Sequence, residues 1–375
     1  MFYMLVAPLH RAVKINRIVL DNQIFRLHYK ATSLLLLMFS ILVTSTQYFG
    51  DPIDCIQHDA VPANVIRTFC WIHSTFNVPD AFNATVGVDG VPHPGIQRYT
   101  PDEHRRYYGY YQWVCMVLFL QAGCFYVPRY LWKSYEQGLI RSLVQDLDCP
   151  IKEDADVCQE TESIARYVRS HLNMHGRYFG WYVTAEVLNF VNVIGQLLLT
   201  DAFLGNMFTT FGTDVLSHHN EDPDVRNDPM VWVFPRVTKC SFHLFGSSGD
   251  VQKHDALCLL AQNIINEKIY IFLWFWWVIL AALTSVELVY RMMTIFLPKF
   301  REVILRYRAR MADRRMLEMV SKRVSTSDWF LLDLLCKNMN PVHYRTFINE
   351  LAKSMEDEYG KRLLGGVDTS NTSTV

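Results

Sequence analysis

Long uncharged runs alternate with polar segments along this chain, and their lengths predict its elements. No charged residue falls between Ala31 and Gly50, between Arg106 and Arg129, or from Ile269 to Val286, and Glu186 alone interrupts Tyr178 to Thr200. Each run is close to or above the roughly 20 residues that a helix needs to cross a bilayer. The stretch from Tyr107 to Trp132 is the plainest, because aromatic rings crowd both its ends, where they sit at headgroup level. A charge-free run of this length argues against a buried helix of a soluble protein. The pattern predicts an all-α membrane protein with spans at 31–50, 107–128, 178–200 and 269–290. Between them lie an N-terminal segment 1–30, a loop 51–106, a polar segment 129–177, a second loop 201–268 and a C-terminal region 291–375, helical through about Leu364 and then flexible.

Polar positions inside the spans are not scattered. Ser33, Ser40, Thr44 and Gln47 follow a spacing that, at about 100° per residue, places them on one stripe of the first span. Such a stripe reads either as a pore wall or as contact with a neighbouring helix. In the third span Glu186, Asn189, Gln196 and Thr200 fall within about 80° of one another. Glu186 either tunes a permeation path or bonds to a neighbouring helix. Glu287 and Arg291, four residues apart at the end of the fourth span, read as a snorkelling ion pair at the membrane surface. Pro128 near the end of the second span marks a candidate hinge.

Charge supplies the orientation. Of the 36 Lys and Arg residues, 27 lie in the N-terminal segment, the segment 129–177 and the C-terminal region, and 9 in the two loops. That bias predicts both termini in the cytoplasm and both loops outside. Each loop carries two cysteines, Cys55 and Cys70 in the first and Cys240 and Cys258 in the second, the even number a disulfide framework needs in an oxidising compartment. Spacing leaves three pairings open, and the cysteines lack the close spacing of a zinc site. Cys115, Cys124, Cys149, Cys158 and Cys336 read as free thiols. Residues 1–30 lack the apolar core and cleavage site of a secretory signal. The basic run after the fourth span fits contact with anionic membrane lipid as well as ordinary topology bias.

The net charge of −1 and the lack of a basic segment interleaved with aromatics give no reason to expect nucleic acid. His171 and His175 stand four apart but lack the glutamate of a metalloprotease helix. The acidic residues Asp146, Asp148, Glu153, Asp154 and Asp156 lack the spacing and glycine of a calcium loop. With no phosphate-binding glycine loop and no Gly-x-Ser-x-Gly elbow, neither an enzyme nor a cofactor is expected. Asn83-Ala84-Thr85 is a glycosylation sequon in the first loop. Ser373-Thr374-Val375 fits a carboxy-terminal ligand of a PDZ domain.

Several motifs, in order, resemble the innexins, the invertebrate gap-junction proteins related to pannexins. They are Phe25-Arg26-Leu27-His28-Tyr29, Tyr110-Tyr111-Gln112-Trp113-Val114, Pro128-Arg129-Tyr130-Leu131-Trp132-Lys133 and Asn192-Val193-Ile194-Gly195-Gln196. The block from Phe234-Pro235-Arg236 through Cys240, Gly246-Ser247-Ser248-Gly249 and Cys258 to Asn266-Glu267-Lys268-Ile269-Tyr270, and Asp328-Trp329-Phe330-Leu331-Leu332, extend the similarity over about residues 20–335. The resemblance implies a plasma-membrane subunit of an oligomeric, octameric hemichannel, alone or mixed with other innexins, that docks with the hemichannel of an adjacent cell. It also implies disulfides Cys55 with Cys258 and Cys70 with Cys240. An N-terminal funnel would begin at Met1, Phe2 and Tyr3, which turns the Ser33 stripe toward the pore-wall reading. Passage of ions and small metabolites would be passive. A glycan on Asn83 at the docking face would instead favour a lone hemichannel. A four-span adhesion or scaffold protein would share the spans and loop disulfides but not the ordered motifs.

Overall fold

The computed structural model describes residues 18–57, 61–82, 84, 86–87, 90–98, 104–144, 147, 154–217 and 228–365. Four long helices match the four apolar runs: Gln23–Phe49, Val114–Glu136, Gly176–Phe203 and Ala261–Phe296, called the first to fourth spans. Their ends differ from the charge pattern, because helical hydrogen bonding continues wherever a charged residue finds a partner. The fourth span runs on through Glu287 and Arg291, and the second through Arg129. In the other direction, the second span starts only at Val114. Arg106–Tyr108 is a strand and Tyr110–Gln112 a 3-10 turn, so the aromatic end of that run belongs to the loop. Within the first span, Leu27–Thr32 is wound as a π-helix.

Two compact units share these helices: Met1–Tyr29 with Val127–Phe190 and Leu283–Val375, and Lys30–Tyr126 with Val191–Ala282. In the second of these, the loops fold rather than merely connect. The first loop contributes β1 (Asp54–Ile56), helix α1 (Ala63–His73), β2 (Thr75–Asn77) and β3 (Arg106–Tyr108).

The former unit holds α2 (Leu139–Val144) and α3 (Asp154–Ser170). The second loop adds α4 (Phe208–Ser217), α5 (Pro229–Val233), β4 (Val237–Phe245) and β5 (Val251–Leu259) to the loop-bearing unit. The five strands form one antiparallel sheet in the order β1-β5-β4-β2-β3. The fold is thus predominantly helical, with a sheet that the uncharged runs do not announce. Short half-buried strands carry too little periodicity to stand out beside 20-residue helices.

The remaining helices, α6 (Pro298–Arg308), α7 (Arg314–Arg323), α8 (Thr326–Asn338) and α9 (Pro341–Gly365), complete the unit that contains both chain ends. Its core is centred on α8, whose Trp329, Phe330, Leu331, Leu332, Leu334 and Leu335 are all buried. A helix apolar on every side must be surrounded. Trp132, Tyr178 and Tyr182 join that core from the second and third spans. At the end of the second span, Gln137 and Gly138 take left-handed φ values of 49° and 90°. Glu136 then accepts from the Gly138 and Ile140 amides at 2.9 Å and starts α2. Glycine suits that reversal because it carries no Cβ.

Candidate channel-forming site

Two disulfides weld the two loops into one body. Cys55 on β1 and Cys258 on β5 are register partners across the sheet, and their sulfurs are bonded. Cys70 on α1 is bonded to Cys240 on β4, which clamps that helix to the sheet. All four are buried with Ile53, Ile66, Tyr108, Tyr111, Ala256 and Leu260. Cys55, Cys70 and Cys258 crowd together closely enough to hold a metal, but their sulfurs are spent in disulfides. Spacing left three pairings open. The sheet register selects this one.

The motif Tyr110-Tyr111-Gln112 reaches back to the same helix. Tyr111 donates from its hydroxyl to the Cys70 carbonyl at 3.1 Å, and Gln112 Nε2 donates to the Trp71 carbonyl. Tyr110 donates to the Val233 carbonyl at 3.1 Å. The turn before the second span therefore caps the C-terminal end of α1, supplying donors to carbonyls that a helix end leaves unpaired. Burial pushes the Tyr108 and Tyr111 phenols up to about 12, so both stay neutral and Tyr111 keeps the proton it donates.

The polar stripe of the first span divides. Ser33 donates its hydroxyl to the Ala122 carbonyl at 2.9 Å, and Ser40 donates to the Cys115 carbonyl at 2.8 Å, both on the second span. These two buried residues make contact between helices, because a hydroxyl in an apolar setting spends its proton on the nearest carbonyl. Thr44, which donates to the Ser40 carbonyl at 2.7 Å, and Gln47 are half-buried. Thr46, which the stripe omits, donates to Gln262 Oε1 at 2.9 Å. Gln262, Asn263, Asn266 and Glu267 form a buried polar row at the start of the fourth span, where Arg236 grips Glu267 at 2.9 Å.

In the unit with the chain ends, Glu186 bonds to a neighbouring helix. Its carboxylate accepts from Nε and Nη2 of Arg291, each at 2.7 Å. Arg291 is 3.8 Å from Glu287 and buried, so the pair read as snorkelling at the surface is instead an interior ion network. The reason is Glu186: a carboxylate from another helix offers a fixed bidentate partner that water at the membrane surface does not. Asn22, the N-cap of the first span, accepts from the Phe25 amide at 2.6 Å and donates to Glu186 at 3.0 Å and Glu287 at 2.7 Å. Beside it Asp21 is 3.3 Å from Arg26 and 3.0 Å from Arg129.

Asp21 and Asn22 escaped the sequence reading, which met Arg129 only as the end of an uncharged run and as part of a motif. An asparagine just before an apolar helical run signals an N-cap, but nothing in its spacing reveals two carboxylates from distant helices. Pro128, the hinge candidate, lies inside the second span directly before Arg129. His171 bonds to the Tyr167 carbonyl at 2.9 Å, while His175 faces Asp328 at 2.7 Å, so the two histidines do not share a site. Met1, Phe2, Tyr3, Asn83, Cys149, Ser373, Thr374 and Val375 lie outside the described residues.

Comparison with known proteins bears on the whole arrangement. The family profile described as Innexin matches residues 21–355. The chain is 48% identical over 347 residues to Innexin inx2 of Drosophila melanogaster, covering 92% of this chain and 94% of that protein. It is 46% identical over 345 residues to Innexin inx2 of Schistocerca americana, with 92% and 96% covered. Against Innexin shaking-B of Drosophila melanogaster the identity is 42% over 358 residues, with 95% and 96% covered. With four membrane-length helices and two disulfide-joined loops on a matching sequence, this chain belongs to the innexin family of gap-junction channel subunits.

Proposed function

We propose that the chain assembles into an eight-subunit hemichannel in the plasma membrane and docks end to end with a hemichannel of the adjacent cell. Ions and small metabolites then pass down their gradients. The observation that carries docking is the loop sheet. Its hairpin β4–β5 pairs Phe245 with Val251 at the tip, and Leu244, Phe245 and Val251 are exposed there. Exposed apolar groups on a covalently braced hairpin suit contact with another protein. The bias of Lys and Arg supports loops outside and both termini in the cytoplasm.

Met1, Phe2 and Tyr3, with Thr44 and Gln47 on the half-buried side of the first span, are the pore-lining residues of this reading, and Pro128 is its hinge. Membrane lipid surrounds the spans. Ser373, Thr374 and Val375 offer a PDZ ligand in the cytoplasm. Paired-cell recording tests the reading: current should pass between two expressing cells. Single-cell currents without junctional current would make it a lone hemichannel, for which a glycan on Asn83 gives a cause. Neither current would leave a scaffold.

A further inference from the structure

We propose that Asp21 and Asn22 are positioning residues for conduction: they tie the start of the first span to the other three spans and so set where the N-terminal segment enters the pore. The proposal rests on the reading that Met1, Phe2 and Tyr3 line that entrance.

Asn22 does more than cap. Capping needs only an acceptor, which Ser, Thr or Asp supplies equally well. The Asn22 side chain spends its Oδ1 on the Phe25 amide and its Nδ2 on Glu186 of the third span and Glu287 of the fourth. Arg291 binds Glu186 through two nitrogens but approaches Glu287 only to 3.8 Å. The amide therefore provides the short bond to Glu287. An aspartate here would keep the cap and face two carboxylates with a third.

Asp21 ties the same turn to the second span. It pairs with Arg129, which follows Pro128, and with Arg26 in the first turn of the helix that Asn22 caps. The Arg129 guanidinium also lies 5.0 Å from the centre of the Tyr29 ring. Together Asp21, Glu186 and Glu287 balance Arg26, Arg129 and Arg291, and Asp21, Arg129, Glu186 and Arg291 are each no more than 5% exposed. A third tie lies just before them. Asn338 of α8 accepts from the Val19 amide at 2.6 Å and donates to the Val19 carbonyl at 2.8 Å.

Apolar side chains would pack these helices as tightly, and a buried ion network is a weak source of stability. Its directional bonds are satisfied in one arrangement, which is what a positioning role requires. From Val19 to Asn22 the chain is held by the second, third and fourth spans and by α8, so the point from which the preceding N-terminal segment departs is fixed.

The test uses the full chain expressed in single cells. Asn22→Ser keeps the capping acceptor and removes the amide donors. Tyr3→Cys, compared with the parent chain to account for native thiols, reports access to the entrance through the rate at which a cationic methanethiosulfonate blocks current. The expected result is block of Tyr3→Cys alone, a block rate changed at least fivefold when Asn22→Ser is added, and an altered unitary conductance. The amount of channel at the surface should stay within twofold.

Failure to block Tyr3→Cys would overturn the entrance reading, while the unitary conductance of Asn22→Ser would still judge the tie. An unchanged block rate with unchanged unitary conductance would overturn the positioning role and leave the entrance reading standing. Should Asn22→Ser not reach the surface, Glu287→Gln decides in its place. It keeps an oxygen acceptor but weakens one of the two amide bonds, and wild-type conductance and block rate there would sink the proposal.

Discussion

Single side chains in the unit with the chain ends carry charges that a membrane protein ordinarily avoids. Arg291 neutralises Glu186 through two short bonds, and its guanidinium also lies over Tyr182 at 5.1 Å and Phe330 at 5.6 Å. Arg291→Met would remove the cation and leave two carboxylates together in the interior. Breaking a buried pair from one side costs about 3–5 kcal/mol, so detergent-solubilised protein should melt well below the parent. Glu186→Gln with Arg291→Met, which removes both partners, should recover much of that loss. Asp328 works similarly outside the spans. Burial works to raise its carboxyl, but hydrogen bonds from His175, Ser325 and the Asn173 amide outweigh it and hold the carboxyl below its usual value. A depressed folded value means stability that is present above the ordinary carboxylate range and lost as pH falls through the folded value. The melting difference between the parent and Asp328→Asn should accordingly be largest near pH 7 and shrink on acidification below pH ~4. A difference independent of pH would assign Asp328 a role without its charge.

Among the elements, the four spans were legible because a bilayer demands length and an absence of charge, and both show in one dimension. The sheet was not, since its three shortest strands have three residues each and pair with partners far along the chain. Ser33 and Ser40 show the same limit on a finer scale: periodicity placed them on one face, but only the neighbouring helix says whether that face meets water or a carbonyl. The charge at Arg129 likewise marked the end of a run, not the end of a helix. Contacts between α4 and the fourth span are equally invisible in sequence. A Cβ on Gly212 would collide with the Trp274 ring, whose indole donates to the Thr209 carbonyl at 3.1 Å. Gly212→Ala should therefore destabilise the loop-bearing unit by about 1–3 kcal/mol through overpacking, measured as a lower melting temperature. Trp274→Phe in the same chain should relieve part of that cost.

For the whole molecule, the consequence of the loop architecture is that the exposed hairpin tip can be changed apart from the disulfide-braced base. The disulfides brace the base of the sheet, where Cys55, Cys258 and Cys240 are buried, and the hairpin tip carries Phe245 at 74% and Val251 at 63% exposure. Changing the tip leaves that base untouched. Phe245→Asp with Val251→Asp places two like charges directly across the hairpin, a pair whose repulsion is confined to an exposed site. If the tip contacts an opposing hemichannel, the same two charges appear on every subunit of both rings, so one interface gathers many uncompensated carboxylates. Single-cell currents of the double variant should stay within about twofold of the parent, since neither residue lies in a span. Current between two cells that both express it should fall at least tenfold, the consequence of a loss of about 1.4 kcal/mol or more at the docked interface. Pairing one variant cell with a cell whose tip carries Phe245→Lys and Val251→Lys should restore part of the current, because opposite charges then meet. Junctional current that ignores all these changes would place docking elsewhere on the loops.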